Sequence, residues 1–393
     1  MHFDRRSLLG TAGVALAGAA VAGGKADAKL PKADVEPRGS IGRLERLPTL
    51  DLEASDEFLT SFRIWVNGRL SQSAAKSAEA TLKAKGIDPK SDMPVEQALE
   101  VLKDDPIVAV RNHTWQNLQM LMWDNLRREF HGNYDAYMAE MEAADTAGPG
   151  KLELNPGMKV PAYTTHEIHM QPGGYVGDPF AGHIYHYGTN NFYNARNYQD
   201  GVQIGFANAV PLPADGKVRR ILDLGCSCGQ LTVALKQRFP DAEVWGIDVG
   251  GPMVRYAHMR AVDLGVDVNF RQALAEDTGF PDGHFDIVVS YILHHEVTAD
   301  ATRQIFREAS RVLRAGGLYY PIDFYTGDRR IQKNAYGKLR DWVTHRWNHE
   351  RWMLEYQSVD FPTEMQAAGF EVNPRGVPAY PGDKGNIVAV KKA

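Results

Sequence analysis

The feature that most constrains this chain is the run Ile221-Leu222-Asp223-Leu224-Gly225-Cys226-Ser227-Cys228-Gly229-Gln230. A short apolar stretch, residues 218–224, enters a turn built almost wholly of small residues, and a helical pattern follows over 230–239. Such a turn leaves the backbone open to a ligand, with amide donors at the start of the helix facing it. Gly225 is the position where any side chain would obstruct that approach. Alone, the pattern fits a tight turn in an ordinary α/β fold as well as a binding loop.

The surrounding sequence narrows the choice. Residues 243–247, 268–272, 285–290 and 317–322 read as further strands, and 253–264 and 301–313 as helices. The order β-α-β-α-β-β-α-β predicts a parallel sheet covered on both faces. A helix over 361–368 and strands over 370–373 and 386–391 close the pattern. The second strand ends in Val244-Trp245-Gly246-Ile247-Asp248. That places an acid about 20 residues past the turn, the spacing of a ribose-binding carboxylate, which accepts charge-assisted bonds from sugar hydroxyls. The alternative for Asp248 is a cap on the following helix. A nicotinamide fingerprint, G-x-G-x-x-G, requires glycine at 227 and 230, where this chain has Ser227 and Gln230.

With these motifs in order, residues 217–393 resemble the class I S-adenosylmethionine-dependent methyltransferases. Asp223-x-Gly225-x-Ser227-x-Gly229 resembles the family's glycine-rich loop, and Gly246-Ile247-Asp248 its ribose-binding strand end. Gln272-Ala273-Leu274-Ala275-Glu276-Asp277 with Phe280-Pro281-Asp282-Gly283 is similar to its adenine-contacting segment. Phe285-Asp286-Ile287-Val288-Val289-Ser290-Tyr291-Ile292-Leu293-His294-His295 is similar to its fourth strand, and Ser310-Arg311-Val312-Leu313-Arg314-Ala315-Gly316-Gly317 to the turn before its fifth. Ser227 stands where the family often has glycine and Leu274 where it often has an acid. The resemblance implies a Rossmann-like α/β fold: a seven-stranded, mostly parallel sheet with its last strand antiparallel, and helices on both faces. It implies S-adenosylmethionine as cofactor, held by Asp223, Gly225, Cys226, Gly229, Asp248, Val249, Ala275, Glu276 and Ser290. It also implies in-line methyl transfer to a small-molecule acceptor. His294 and His295, at the carboxyl end of the fourth strand, are the candidate catalytic residues, with a structural role for either as the alternative. A non-catalytic protein that binds the same cofactor is the competing class.

The rest of the chain is organised differently. Residues 51–147 read as a helical N-terminal domain, with Trp115, Leu118, Met120, Leu121, Trp123 and Leu126 on one broad apolar face. Residues 148–215 lack regular periodicity and are rich in Tyr, His, Asn and Gly; long irregular segments of this kind are more often functional than idle. Tyr185, Tyr187, Tyr193 and Tyr198 are expected to build a lid over the cofactor. His166-x-x-His169 and His183-x-x-His186 have metal-ligand spacing, but no cysteine lies among them, and the expectation is no metal. Residues 329–352 suggest an amphipathic helix with Trp342, Trp347 and Trp352 facing the core.

Composition adds exclusions. A net charge of −5 over 393 residues argues against nucleic acid as the main partner. The only two cysteines, Cys226 and Cys228, both lie in the turn, so neither a disulfide framework nor a four-thiolate zinc site is available. At the N-terminus, Asp4-Arg5-Arg6-Ser7-Leu8-Leu9-Gly10 opens a Gly/Ala-rich apolar stretch ending near Gly24, and Ala26-Asp27-Ala28 follows as a small-residue cleavage site; together they resemble a twin-arginine export signal over 1–28, with a linker over 29–50. The expected location is periplasmic if that signal is used and cytoplasmic otherwise. No stable membrane span is expected, and the oligomeric state is not legible.

Overall fold

The structure, a computed structural model, describes residues 42–324, 334–379 and 384–392. The export-signal segment lies outside them. Five helices come first: α1 (Leu50–Trp65), α2 (Ser71–Ala84), α3 (Val95–Leu102), α4 (Pro106–Gly132) and α5 (Tyr134–Ala144). The short strand β1 (Leu152–Glu153) follows, then α6 (Gly174–Gly177), α7 (Ala181–Phe192) and α8 (Gly201–Ala209). The alternating part runs β2 (Arg220–Leu224), α9 (Gln230–Arg238), β3 (Glu243–Asp248), α10 (Gly251–Asp263), β4 (Asn269–Gln272), β5 (Phe285–Tyr291), α11 (Ala299–Val312) and β6 (Leu313–Ile322). It closes with α12 (Ala335–Trp347), α13 (Met353–Ser358), α14 (Phe361–Ala367), β7 (Phe370–Ala379) and β8 (Lys384–Lys391).

The sheet order is β1-β4-β3-β2-β5-β6-β8-β7, with every pairing parallel except those of β8. The sheet has eight strands rather than the expected seven. The addition is β1, two residues long, pairing Leu152 with Phe270 at the edge; so short a strand leaves no alternation to read. Side chains alternate across the sheet as the pleat requires. Ile221, Ile287 and Val289 face a core shared with α8, α9 and α10. Leu222, Leu224 and Val288 face one shared with α11 and α14. Burial on both faces is why these strands read as continuous apolar runs.

The segment read as irregular contains α7 and α8. Their composition hides them, because α7 buries Gly182, Gly188, Asn190 and Asn191 instead of an aliphatic stripe. Gly188 lies against the Trp123 ring, and Trp123 Nε1 donates to the His169 carbonyl at 2.7 Å. A third core thus joins α1, α4, α5 and α7 through Leu118, Trp123, Leu126, Phe130 and Ile184. Met120 and Leu121, expected on that face, are instead exposed. The C-terminal α12 packs on α2 and α3 through Ala335, Tyr336, Leu339 and Val343. Its Trp residues do not form its buried face: Trp342 is half-buried and Trp347 is exposed.

The close approach of α7 to α4 generates a test. A Cβ at Gly188 would lie 2.0 Å from the Trp123 ring. Gly188→Ala is expected to destabilise the protein by about 1–3 kcal/mol, the usual cost of overpacking, read as a lower urea midpoint.

Candidate cofactor site

The strand β2 delivers the chain into a turn whose backbone is left-handed at three places: Gly225 (φ +69°), Ser227 (φ +51°) and Gly229 (φ +75°). A Cβ at Gly225 would also press on the Leu293 side chain at 2.8 Å, and one at Gly229 on Phe270 and Ala257 at 2.8 and 2.9 Å. Small residues are therefore required here by packing as well as by access. Ser227 shows what glycine would relieve at that position, since left-handed backbone is uncommon for a residue with a side chain.

Asp248, at the end of β3, holds the turn in place. Its Oδ2 accepts from the Ser227 amide at 3.0 Å and its Oδ1 from the Gly250 amide at 2.8 Å. The Gly250 bond is a local turn and not the helix cap weighed from sequence, since Gly250 itself is the N-cap of α10 and receives no side-chain cap; the Ser227 bond ties the strand end to the neighbouring loop. Below the turn, Asp223 accepts from Thr232 Oγ1 at 2.7 Å. Burial pushes the Asp223 carboxyl up to about 7, against the Thr232 hydrogen bond, with the nearby Asp248 charge adding to the rise. Burial likewise raises Asp248, opposed by its two backbone amide bonds.

A cavity of about 320 Å³ opens on this turn, lined by Asp223, Gly225, Cys226, Ser227, Cys228 and Gln230, with Tyr185, Gln203 and Tyr291 opposite. Asp223 Oδ1 and Ser227 Oγ are buried without a hydrogen-bond partner, and polar atoms so placed suit a bound polar ligand. Cys226 and Cys228 are buried free thiols whose ionisation burial pushes up, so they act as small wall residues.

Other expected site residues fall into two groups. Val249 and Ala275 are half-buried on the loops after β3 and β4. Glu276 is half-buried there too and is bonded by the Tyr163 hydroxyl from the segment before α6. None of these three lines the cavity, and neither do Asp248 and Ser290; Ser290 is turned away from it. Its side chain lies on the opposite face of β5, sharing a 2.9 Å bond with the Tyr319 hydroxyl, because the pleat turns Tyr291 and not Ser290 toward the turn. His294 is fully buried, with Nε2 2.7 Å from the same Tyr319 hydroxyl and its ring 5.1 Å from Phe306 and Phe361. Burial pushes it down to about 4, the Asp323 charge working the other way. His295 lies elsewhere, with Nδ1 2.7 Å from Asp323 Oδ1 and Nε2 3.5 Å from Glu296. Burial would lower it, but the two carboxylates raise it well above the usual value.

Of the four tyrosines expected over the cofactor, Tyr185 lines the cavity and Tyr193 shares a 2.8 Å bond with Tyr291. Tyr187 and Tyr198 instead line a separate cavity against Leu44, Leu47 and Glu53. His183 and His186 pack on Tyr256, away from His169, so the two histidine pairs do not combine. Sequence reading missed Gln203 and Asp200. Asp200 is buried and accepts from Gln230 Nε2 at 2.6 Å and from Arg260. These bonds seat α8 on the helix that follows the turn. An Asp-Gly pair at a helix start was the available signal.

Residues 221–317 match the family described as a methyltransferase domain. The chain is 38% identical over 116 residues to demethylmenaquinone methyltransferase of Thermus thermophilus, covering 30% of this chain and 52% of that protein. It is 34% identical over 181 residues to the ubiquinone/menaquinone biosynthesis C-methyltransferase UbiE of Pseudomonas savastanoi pv. phaseolicola, covering 42% of this chain and 69% of that one. The crystal structure of the YcgJ protein from Bacillus subtilis shares 25% identity and a TM-score of 0.33, covering 44% of this chain and 69% of that one. The fold, the loop and the UbiE relationship together make this chain a member of the class I S-adenosylmethionine-dependent methyltransferase family. It spans about half the length of the first curated relatives it matches, and the helices preceding β1 lie outside the matched domain.

The raised Asp223 gives a pH test. A carboxyl whose folded pKa is about 7 against 3.8 unfolded contributes stability that is fully present below pH 3.8 and lost as pH rises through about 7. Asp223→Asn is expected to remove that part of the decline, so that melting temperature changes less with pH between 4 and 7 than in the wild type.

Proposed function

We propose that this protein is a methyltransferase that binds S-adenosylmethionine on the 225–230 turn and passes its methyl group to a small-molecule acceptor under a cap formed by α7 and α8. The observation that carries the reading is the Asp248 carboxylate beside an open glycine turn and a cavity with two unpartnered buried polar atoms. Bound S-adenosylmethionine would supply a methyl group already activated for in-line displacement.

The chain's own residues then align and enclose the reactants. Asp248 has lone pairs beyond its two amide bonds with which to accept from ribose hydroxyls. Gly225 admits the ligand to the backbone. Val249, Ala275 and Glu276, on the loops after β3 and β4, are the residues to which the resemblance assigns adenine contact. Tyr185 and the Tyr193–Tyr291 pair wall the opposite side and exclude water. Alignment of this kind is worth up to roughly 7–11 kcal/mol for well-oriented reactants. Of the two histidines, His294 is packed against Phe306 and Phe361 in the core, while His295 bridges Asp323 and Glu296.

Calorimetry of S-adenosylmethionine binding to the full chain tests the reading. About micromolar affinity is expected, weakened at least about tenfold, or ~1.4 kcal/mol, by Asp248→Ala. No binding by either protein would remove the assignment.

A further inference from the structure

Three segments that are distant in sequence meet beside the cofactor cavity. His169 comes from the 3-10 turn Ile168–Met170 before α6, Glu296 from the turn His294–Glu296 after β5, and Glu350 from the link between α12 and α13. His169 Nδ1 is 2.8 Å from Glu350 Oε1, and His169 Nε2 is 3.2 Å from Glu296 Oε1. One ligand atom from each residue lies within 4.8 Å of those of the other two.

A second observation is independent of that spacing. Glu350 Oε2, Glu296 Oε2 and Asn348 Oδ1 are all buried without a hydrogen-bond partner. Glu350 and Asn348 are only 4% and 3% exposed, and the Asn348 amide sits 3.4 Å from Glu350 and 3.1 Å from His169. Among the described residues, no Lys or Arg ion pair reaches either glutamate. The charges do not balance either. The chain Asp323–His295–Glu296–His169–Glu350 has three carboxylates and two imidazoles, so even with both rings protonated one negative charge is left over. A buried charge without a partner is costly, and it is normally paired or bound to a metal. His169 also holds a left-handed backbone, φ +54°, the kind of strain that persists where surrounding structure imposes a geometry.

We propose that His169, Glu296 and Glu350 form a binding site for a divalent transition-metal ion. One imidazole and two carboxylates suit the Mn²⁺, Fe²⁺ or Zn²⁺ class, and the absence of sulfur from the set disfavours softer ions. The free carboxylate oxygens and Asn348 Oδ1 supply further oxygen donors. His295, anchored by Asp323, is the outer partner that orients Glu296, as second-shell groups do. The ion joins the cap, the end of β5 and the α12–α13 link. It sits within electrostatic reach of Tyr185, a residue of the cofactor cavity, whose phenol is pushed up by burial first and then by charges that include Glu296.

The test uses the full chain after chelator treatment, titrated with Mn²⁺ or Zn²⁺ alone. One equivalent is expected to bind and to raise the melting temperature, as any ligand of the folded state does. Glu350→Gln and His169→Gln are expected to bind at least about tenfold more weakly, the loss that even outer-shell changes cause, while retaining S-adenosylmethionine binding as the check on folding. X-ray absorption of the Zn²⁺-loaded wild type needs no variant, and a shell of oxygens with a single imidazole is expected. No uptake by the wild type, equal uptake by the variants, or a shell with several imidazoles would each overturn the proposal.

Discussion

The Asp248 carboxylate is the interaction on which the site depends. It fixes the amide of Ser227 on one loop and of Gly250 on the next. Hydrogen bonds to an ionised group contribute about 1.5–3 kcal/mol each. Here they also keep Ser227 in a left-handed conformation that the residue would not choose. With the turn so held, Gly225 keeps its place in the cavity wall. The two loops come from neighbouring parallel strands, β2 and β3, paired from Arg220 with Glu243 to Leu224 with Ile247. The sheet therefore positions the site, and Asp248 completes it.

The second constraint is polar docking of the cap. Asp200 is buried against Gln230 and Arg260, so α8 is seated on both helices that follow the glycine turn and β3. Trp123 and Gln119 of α4 both donate to the His169 carbonyl. Arg255 of α10 grips Asp145 with two bonds, at 2.7 and 2.6 Å. Removing one partner of the buried Asp200 contacts leaves the other unsatisfied. The preceding helices are thereby tied to the domain that carries the loop.

The alternating part of the fold was legible because parallel strands buried on both faces leave long apolar runs. The boundaries of β3, β5 and α9 agree with the sequence reading to within one residue. The glycine turn and Asp248 were legible because their chemistry restricts residue type. The cap was not. Its α7 makes close helix contacts through Gly182 and Gly188 and buries polar Asn190 and Asn191, so no apolar stripe marks it. The Ser290 side chain lies one step of the pleat from Tyr291, which lines the cavity, a distinction that sequence spacing alone does not make. The meeting of His169 with Glu350 joins residues 181 positions apart by number, and nothing local foretells it.

The measurement that bears most directly on the account is hydrogen exchange of the full chain with and without S-adenosylmethionine. The account predicts slower exchange in two places at once: the loops at 223–230 and 246–250, and the cap over 181–203. Protection confined to other parts of the molecule, or protection of the loops with the cap unchanged, would contradict the claim that the cofactor is held on the turn and enclosed by α7 and α8.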